Sequence, residues 1–194
     1  HLSLNFVCRD GRVVDSTPQF FASNPATIMS DVKGPLGKGT RVLRDEEDLA
    51  FKLVNSLSDE QKSKGIIADE APKEIRFAGD PQPTVGEPEG IIVGELDASQ
   101  QDVLKELVGV YVDAVADPIA KYRRDLIGYD GWENIHFAWA GATKPGIGHY
   151  YRIRGEGFLI EFVNTQADPA GNPANHIHSV WRDVTGDFDL PNKK

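Results

Sequence analysis

The run His149-Tyr150-Tyr151-Arg152-Ile153-Arg154-Gly155-Glu156-Gly157-Phe158-Leu159-Ile160-Glu161-Phe162-Val163 alternates polar and apolar side chains on either side of a glycine-rich centre. That is the pattern of a β-hairpin with one buried face. With Gly155-Glu156 as a two-residue turn, Tyr150 is expected opposite Glu161 and Arg152 opposite Leu159. Tyr150, Arg152 and Glu161 then share one face. Tyr151, Ile153, Phe158, Ile160 and Phe162 share the other, which is apolar enough to be the core side. His149 falls on the core side, at the edge of its strand.

The same test extends to neighbouring stretches. In Asn175–Arg182 (175–182), Ile177 and Trp181 claim the core, which sends His176, His178 and Arg182 to the polar face. In 135–140, Phe137 and Trp139 claim the core; His136 lies opposite, and small Ala138 and Ala140 leave room beside it for a ligand. At the start of the chain Leu2, Leu4 and Phe6 read as core and His1, Ser3 and Asn5 as polar. Asp10-Gly11 then turns into Arg12-Val13-Val14 as a hairpin. If the first strand joins the same sheet, four of the five histidines coincide on one face. A solvated sheet face usually carries Lys, Glu and Thr, so this gathering is the main functional signal.

Upstream, the period changes to that of helices. Leu49, Leu53 and Leu57 repeat at i, i+4, i+8 in 45–57, and Ser58 with Gln61 forms a capping box opening 59–65. Val103, Leu104, Leu107, Val108 and Tyr111 line one face of 99–115, and Asp117-Pro118 opens 118–127. Residues 22–44 and the Pro- and Gly-rich 79–90 read as loops, the first able to cover a site. The expected fold is α+β: an antiparallel sheet with strands near 2–7, 12–15, 135–140, 149–154, 158–163 and 175–182, and these helices packed on its apolar face. One domain is expected over 1–194.

Composition narrows the function. The 194 residues are 40% hydrophobic, in the range of one domain with a real core. A net charge of −9 argues against nucleic acid and anionic membranes, whose phosphates need clustered Lys and Arg. A small-molecule, carbohydrate or peptide ligand is expected instead. No stretch approaches the roughly 20 apolar residues of a membrane-spanning helix, so membrane insertion is not expected. Residues 1–20 lack the basic start and apolar run of a signal peptide. Cys8 is the single cysteine, which excludes an internal disulfide. With no Walker loop and no Gly-x-Gly-x-x-Gly after a strand, no nucleotide cofactor is expected. Ser3, Ser179 and Cys8 lie in no nucleophile elbow. Oligomeric state is not set by any of these patterns.

His176-x-His178 sets two imidazoles on one strand face, about 7 Å apart by the rise per residue, a spacing from which both can converge on a metal. The third ligand is expected from His1, Glu161 or His136. Three protein ligands with one open position are the catalytic arrangement, in which metal activates water or substrate. The expectation is a metal-dependent enzyme, hydrolase or oxidoreductase, holding a divalent metal on His176, His178 and His1, with Zn ahead of Fe or Cu. Glu161, Arg152 and Tyr150 are the expected catalytic side chains; His136, Asn5, Asn175 and Arg182 are expected to meet substrate. The alternatives are a cross-strand salt bridge between Arg152 and Glu161, a non-catalytic carbohydrate- or peptide-binding module, or a face that packs on another segment.

His136-Phe137-Ala138-Trp139-Ala140-Gly141, His149–Ile153, Leu159–Phe162 and Asn175–Asp183, together with His1–Asn5 and Glu46–Ala50, resemble the family catalogued as domain of unknown function 3500 over nearly the whole chain. The resemblance implies an exported bacterial protein, periplasmic or extracellular. It also implies an upstream helical region before a His-His-Leu-Ser-Leu-Asn motif, whose second His is His1, and a short continuation past Gly186-Asp187-Phe188-Asp189. It implies no activity.

Overall fold

The computed structural model describes residues 1–191. In chain order its elements are β1 (Leu2–Leu4), β2 (Val7–Arg9), β3 (Arg12–Asp15), β4 (Gln19–Ser23), α1 (Arg44–Ser56), α2 (Asp59–Gly65), β5 (Ile66–Ala68), β6 (Ile91–Ile92), α3 (Ala98–Asp113), α4 (Asp117–Asp130), β7 (His136–Gly141), β8 (His149–Arg154), β9 (Phe158–Gln166) and β10 (His176–Asp183). The main sheet has eight strands, in the order β1-β4-β10-β9-β8-β7-β5, with β6 also pairing with β7. Only β5 runs parallel to its neighbour. The architecture is α+β, as the pattern of elements predicts.

Helices α1 and α3 cover the apolar face because their stripes match it. Phe51, Leu53 and Val54 of α1 and Leu104, Leu107 and Tyr111 of α3 join Phe137, Trp139, Tyr151, Phe162 and Trp181 in one core. Aromatic rings stack across the strands, Tyr151 on Phe162 at 5.1 Å and Phe158 on Trp181 at 4.8 Å. Capping boxes at Ser58/Gln61 and Asp97/Gln100 satisfy the first amides of α2 and α3. The Asp10-Gly11 turn is also as expected: positive φ at both residues, 51° and 74°, is what a tight hairpin turn requires.

The structure corrects the sequence reading in four ways. First, 2–7 is not one strand: β1 joins the main sheet, while β2 pairs with β3 as a separate ribbon. Leu2, Leu4 and Phe6, expected in the core, are 65%, 46% and 50% exposed, since β1 is the outermost strand and the main core stops short of it. Second, β4, whose last two residues read as the start of a loop, inserts between β1 and β10. Third, the β8–β9 turn is Glu156-Gly157, closed by Gly155 N–H donating to Phe158 O at 3.0 Å. Arg152 therefore lies opposite Glu161, and Tyr150 opposite Val163. A slip of two residues leaves the assignment of faces intact.

Fourth, the polar face is not solvated. The chain between β5 and β6 crosses it, and Ile75, Ala140, Tyr150, Val163 and Val180 form a second small core there with Phe20, Ile67 and Ala71. The room expected beside Ala138 is filled by the backbone at Gly90. With φ +96°, a Cβ at that position would lie 2.2 Å from Phe137 O and 2.8 Å from Ala138 Cα. Arg182 fastens this cover, its guanidinium donating to Phe77 O at 3.0 Å, Asp80 O at 2.8 Å and Asp187 Oδ2 at 2.7 Å.

Candidate metal centre

The register of three strands builds the site. Ala22 N–H donates to His1 O at 2.8 Å, and Ala22 pairs in turn with His178 on β10. His1 and His178 thus flank a residue with only a methyl side chain, which leaves the space above β4 for two imidazoles. Where β10 meets β9, a break in register falls between His176 and Ile177. Ring centroids lie 4.7 Å apart for His176–His178, 5.1 Å for His1–His176 and 5.4 Å for His1–His178. One ligand atom from each of the three lies within 4.8 Å of the others.

The closest pair is His178 Nε2 and His176 Nε2, at 3.0 Å. Two nitrogens bound tetrahedrally to one zinc at about 2.0–2.1 Å would stand about 3.3 Å apart, so these two need almost no rearrangement. The two side chains lean together, so these nitrogens stand much closer than the regular strand rise sets their backbones.

Glu74, from the covering segment, was not foreseen. Its carboxylate oxygens lie 2.7 and 2.6 Å from His178 Nδ1. A carboxylate can only accept, so Nδ1 carries a proton, which leaves Nε2 as the nitrogen available to a metal. Asn24 Nδ2 lies 3.3 Å from His176 Nδ1. Burial, and then the neighbouring His178, pull His176 below its ordinary titration range, which keeps it neutral as a ligand must be. Phe20 closes one side, its ring 5.3 Å from that of His178. His1 is exposed, so one side of the cluster faces solvent.

Three of the five histidines meet, where four were expected. His136 sits on β7, three strands from β10 and on the order of 14 Å away at ordinary strand spacing, with Nδ1 3.0 Å from Asn134 O. His149 belongs to the main core. It stacks on Trp139 at 5.6 Å, with Nδ1 2.8 Å from Ile147 O and Nε2 3.2 Å from Glu47 Oε1.

The expected catalytic trio forms a separate buried cluster. Tyr150 Oη donates to Glu161 Oε1 at 2.5 Å, and Arg76 N–H donates to the same oxygen at 3.1 Å. Burial, and then Glu161, push the Tyr150 phenol well above its ordinary value, so it remains a donor. Arg152 turns from its cross-strand neighbour to Glu89, at 2.9 Å, and Arg76 reaches the same carboxylate at 2.5 Å. Glu161 is fully buried in this second cluster and does not meet the histidines; of the three candidates for a third member, His1 is the one that does.

Two further residues expected to meet substrate are engaged within the fold. Asn175 donates to Asp168 Oδ2 at 2.7 Å and Thr27 O at 2.9 Å, and accepts from Thr27 N at 2.7 Å. Asn5 donates to Pro18 O at 2.7 Å. Buried Arg182 is committed to the cover, as described above. No local pattern marks Glu74, because its segment has neither helical nor strand period and matters only through the face it crosses.

Against known proteins, the family described as "Protein of unknown function (DUF3500)" matches residues 1–190. No curated protein and no solved structure matches the chain.

Proposed function

The chain belongs to the DUF3500 family, and we propose that it is a metal-dependent enzyme in which His1, His176 and His178 hold one divalent ion. The observation that carries this reading is the convergence of three imidazoles within 4.8 Å, one of them fixed in its ligating tautomer by Glu74. Second-layer carboxylates of this kind accompany most metal-bound histidines.

Zinc suits the donor set best. The two-histidine, one-carboxylate set typical of non-haem iron is not formed, because Glu74 faces the far nitrogen of His178 and Glu161 is buried elsewhere. Three neutral nitrogens and a solvent-facing side support zinc with a fourth position for water, which such a metal makes acidic near pH 7. We therefore favour hydrolysis over oxidation. The chain's own part is to set the ligands: Glu74 holds the His178 proton on Nδ1, and Phe20 limits solvent on one side.

The test is metal content by mass spectrometry on untagged protein purified without chelator, beside the His176→Ala/His178→Ala double variant. About one equivalent of zinc is expected in the parent and none in the variant, together with chelator-sensitive hydrolysis in a panel of activated esters and phosphoesters. Failure to take up metal even after reconstitution refutes the proposal and leaves a non-catalytic binding module.

A further inference from the structure

A cavity lies on the opposite face of β10 from the histidines. It has a volume of about 530 Å³ and opens between β3 and α4, with Val14, Ile119, Tyr122, Leu126 and Trp181 among its walls. That is an ordinary size for a small-molecule site. Arg123 lies in its lining although only 2% exposed.

Arg123 is an under-compensated cation. Among the described residues it has no ion-pair partner within 4 Å. Its hydrogen bonds, to Tyr111 O, Ser16 O and Ser16 Oγ, are all long at 3.3 Å, and its Nε–H has no acceptor. The guanidinium stacks over Trp181 at 4.6 Å. Burial depresses it to about 10, with only the longer-range charge of Asp15 acting the other way. A buried charge left this way is costly, and an anion that reaches it removes the cost.

Two acids also line the cavity, but both are turned to backbone amides. Asp15 Oδ1 accepts from Thr17 N at 2.9 Å and its Oδ2 from Asp189 N at 2.7 Å. Asp183 Oδ1 accepts from Thr185 N at 2.7 Å. The buried lining atom left without a hydrogen-bond partner is therefore cationic, Arg123 Nε, and Val14, Ile119, Leu126 and Trp181 give the cavity an apolar wall.

We propose that this cavity binds an amphipathic carboxylate, its hydrocarbon body against Ile119, Leu126 and Trp181 and its carboxylate on Arg123. The site is independent of the metal centre. Decanoate and decanol are the probes: they share one apolar chain and differ in head-group charge.

Calorimetric titration should show one decanoate bound per chain, at least about tenfold tighter than decanol, as a charge-assisted hydrogen bond predicts. Arg123→Gln should reduce decanoate to the level of decanol. Ile119→Trp, which fills the cavity without touching the cation, should abolish binding of both and keeps the test valid if Arg123→Gln does not fold. Equal affinities for the two probes, no binding of decanoate, or decanoate binding unaffected by Ile119→Trp overturns the proposal.

Discussion

Glu74→Ala removes the carboxylate that holds the His178 proton on Nδ1 while leaving all three proposed ligands in place. The contact is short, with both oxygens within 2.7 Å of Nδ1. A hydrogen bond to a charged group contributes about 1.5–3 kcal/mol. The Glu74 side chain is 34% exposed, so solvent screening places its value in the lower half of that range, about 1.5–2 kcal/mol. At about 1.4 kcal/mol per decade this weakens zinc binding roughly 10- to 30-fold, within the 10- to 100-fold loss usual for second-layer partners. Glu74→Gln retains an acceptor without the charge and should fall between parent and Ala. The assay is titration of metal-free protein with zinc against a chromophoric chelator, with thermal melts of the apo forms alongside. Because the contact with His178 is made without metal too, a loss of that size should lower the apo melting temperature by about 3–8 °C and no more. A zinc Kd for Glu74→Ala within about twofold of the parent would refute the claim that this carboxylate orders the site.

Three other outcomes test the architecture. Phe162→Ala empties a fully buried site stacked between Tyr151 and His149, and should cost about 3–5 kcal/mol in urea unfolding. Gly90→Ala forces a Cβ against the backbone of Phe137 and Ala138 at positive φ, so a loss of at least about 2 kcal/mol is expected, with faster proteolysis within residues 69–90 as the cover lifts. Glu47 is raised by burial but lowered more by His149, Asn164 and Arg41, which leaves it at about 2 against an ordinary 4.5. Its folded value is depressed, so its stabilisation is full above about pH 4.5 and is lost as pH falls toward 2; Glu47→Gln should flatten the stability profile in that window.

The face assignments were legible in the sequence because a strand alternates strictly. Once Tyr151, Ile153, Ile160 and Phe162 claimed the core, Arg152, Glu161, His176 and His178 had to lie opposite, and even a two-residue slip at the Glu156-Gly157 turn could not move them. Helix boundaries followed from capping residues such as Ser58 and Gln61 that act over a single turn. The histidine triad was visible in outline: His176-x-His178 could be read from spacing and His1 was the expected third member, although no local pattern set it apart from Glu161 or His136.

What only the tertiary structure decided is what crosses the polar face and who neighbours whom. β4, five residues without a distinctive pattern, puts Ala22 between His1 and His178. The non-periodic stretch before β6 brings Glu74 to His178 and buries Tyr150, Arg152 and Glu161. The sequence by itself determined periodicity, and hence the side each residue takes, because those are set by neighbouring dihedral angles. Strand order and cover come from contacts between residues about 100 positions apart, such as Glu74 with His178, and these form only when the whole chain closes on its core.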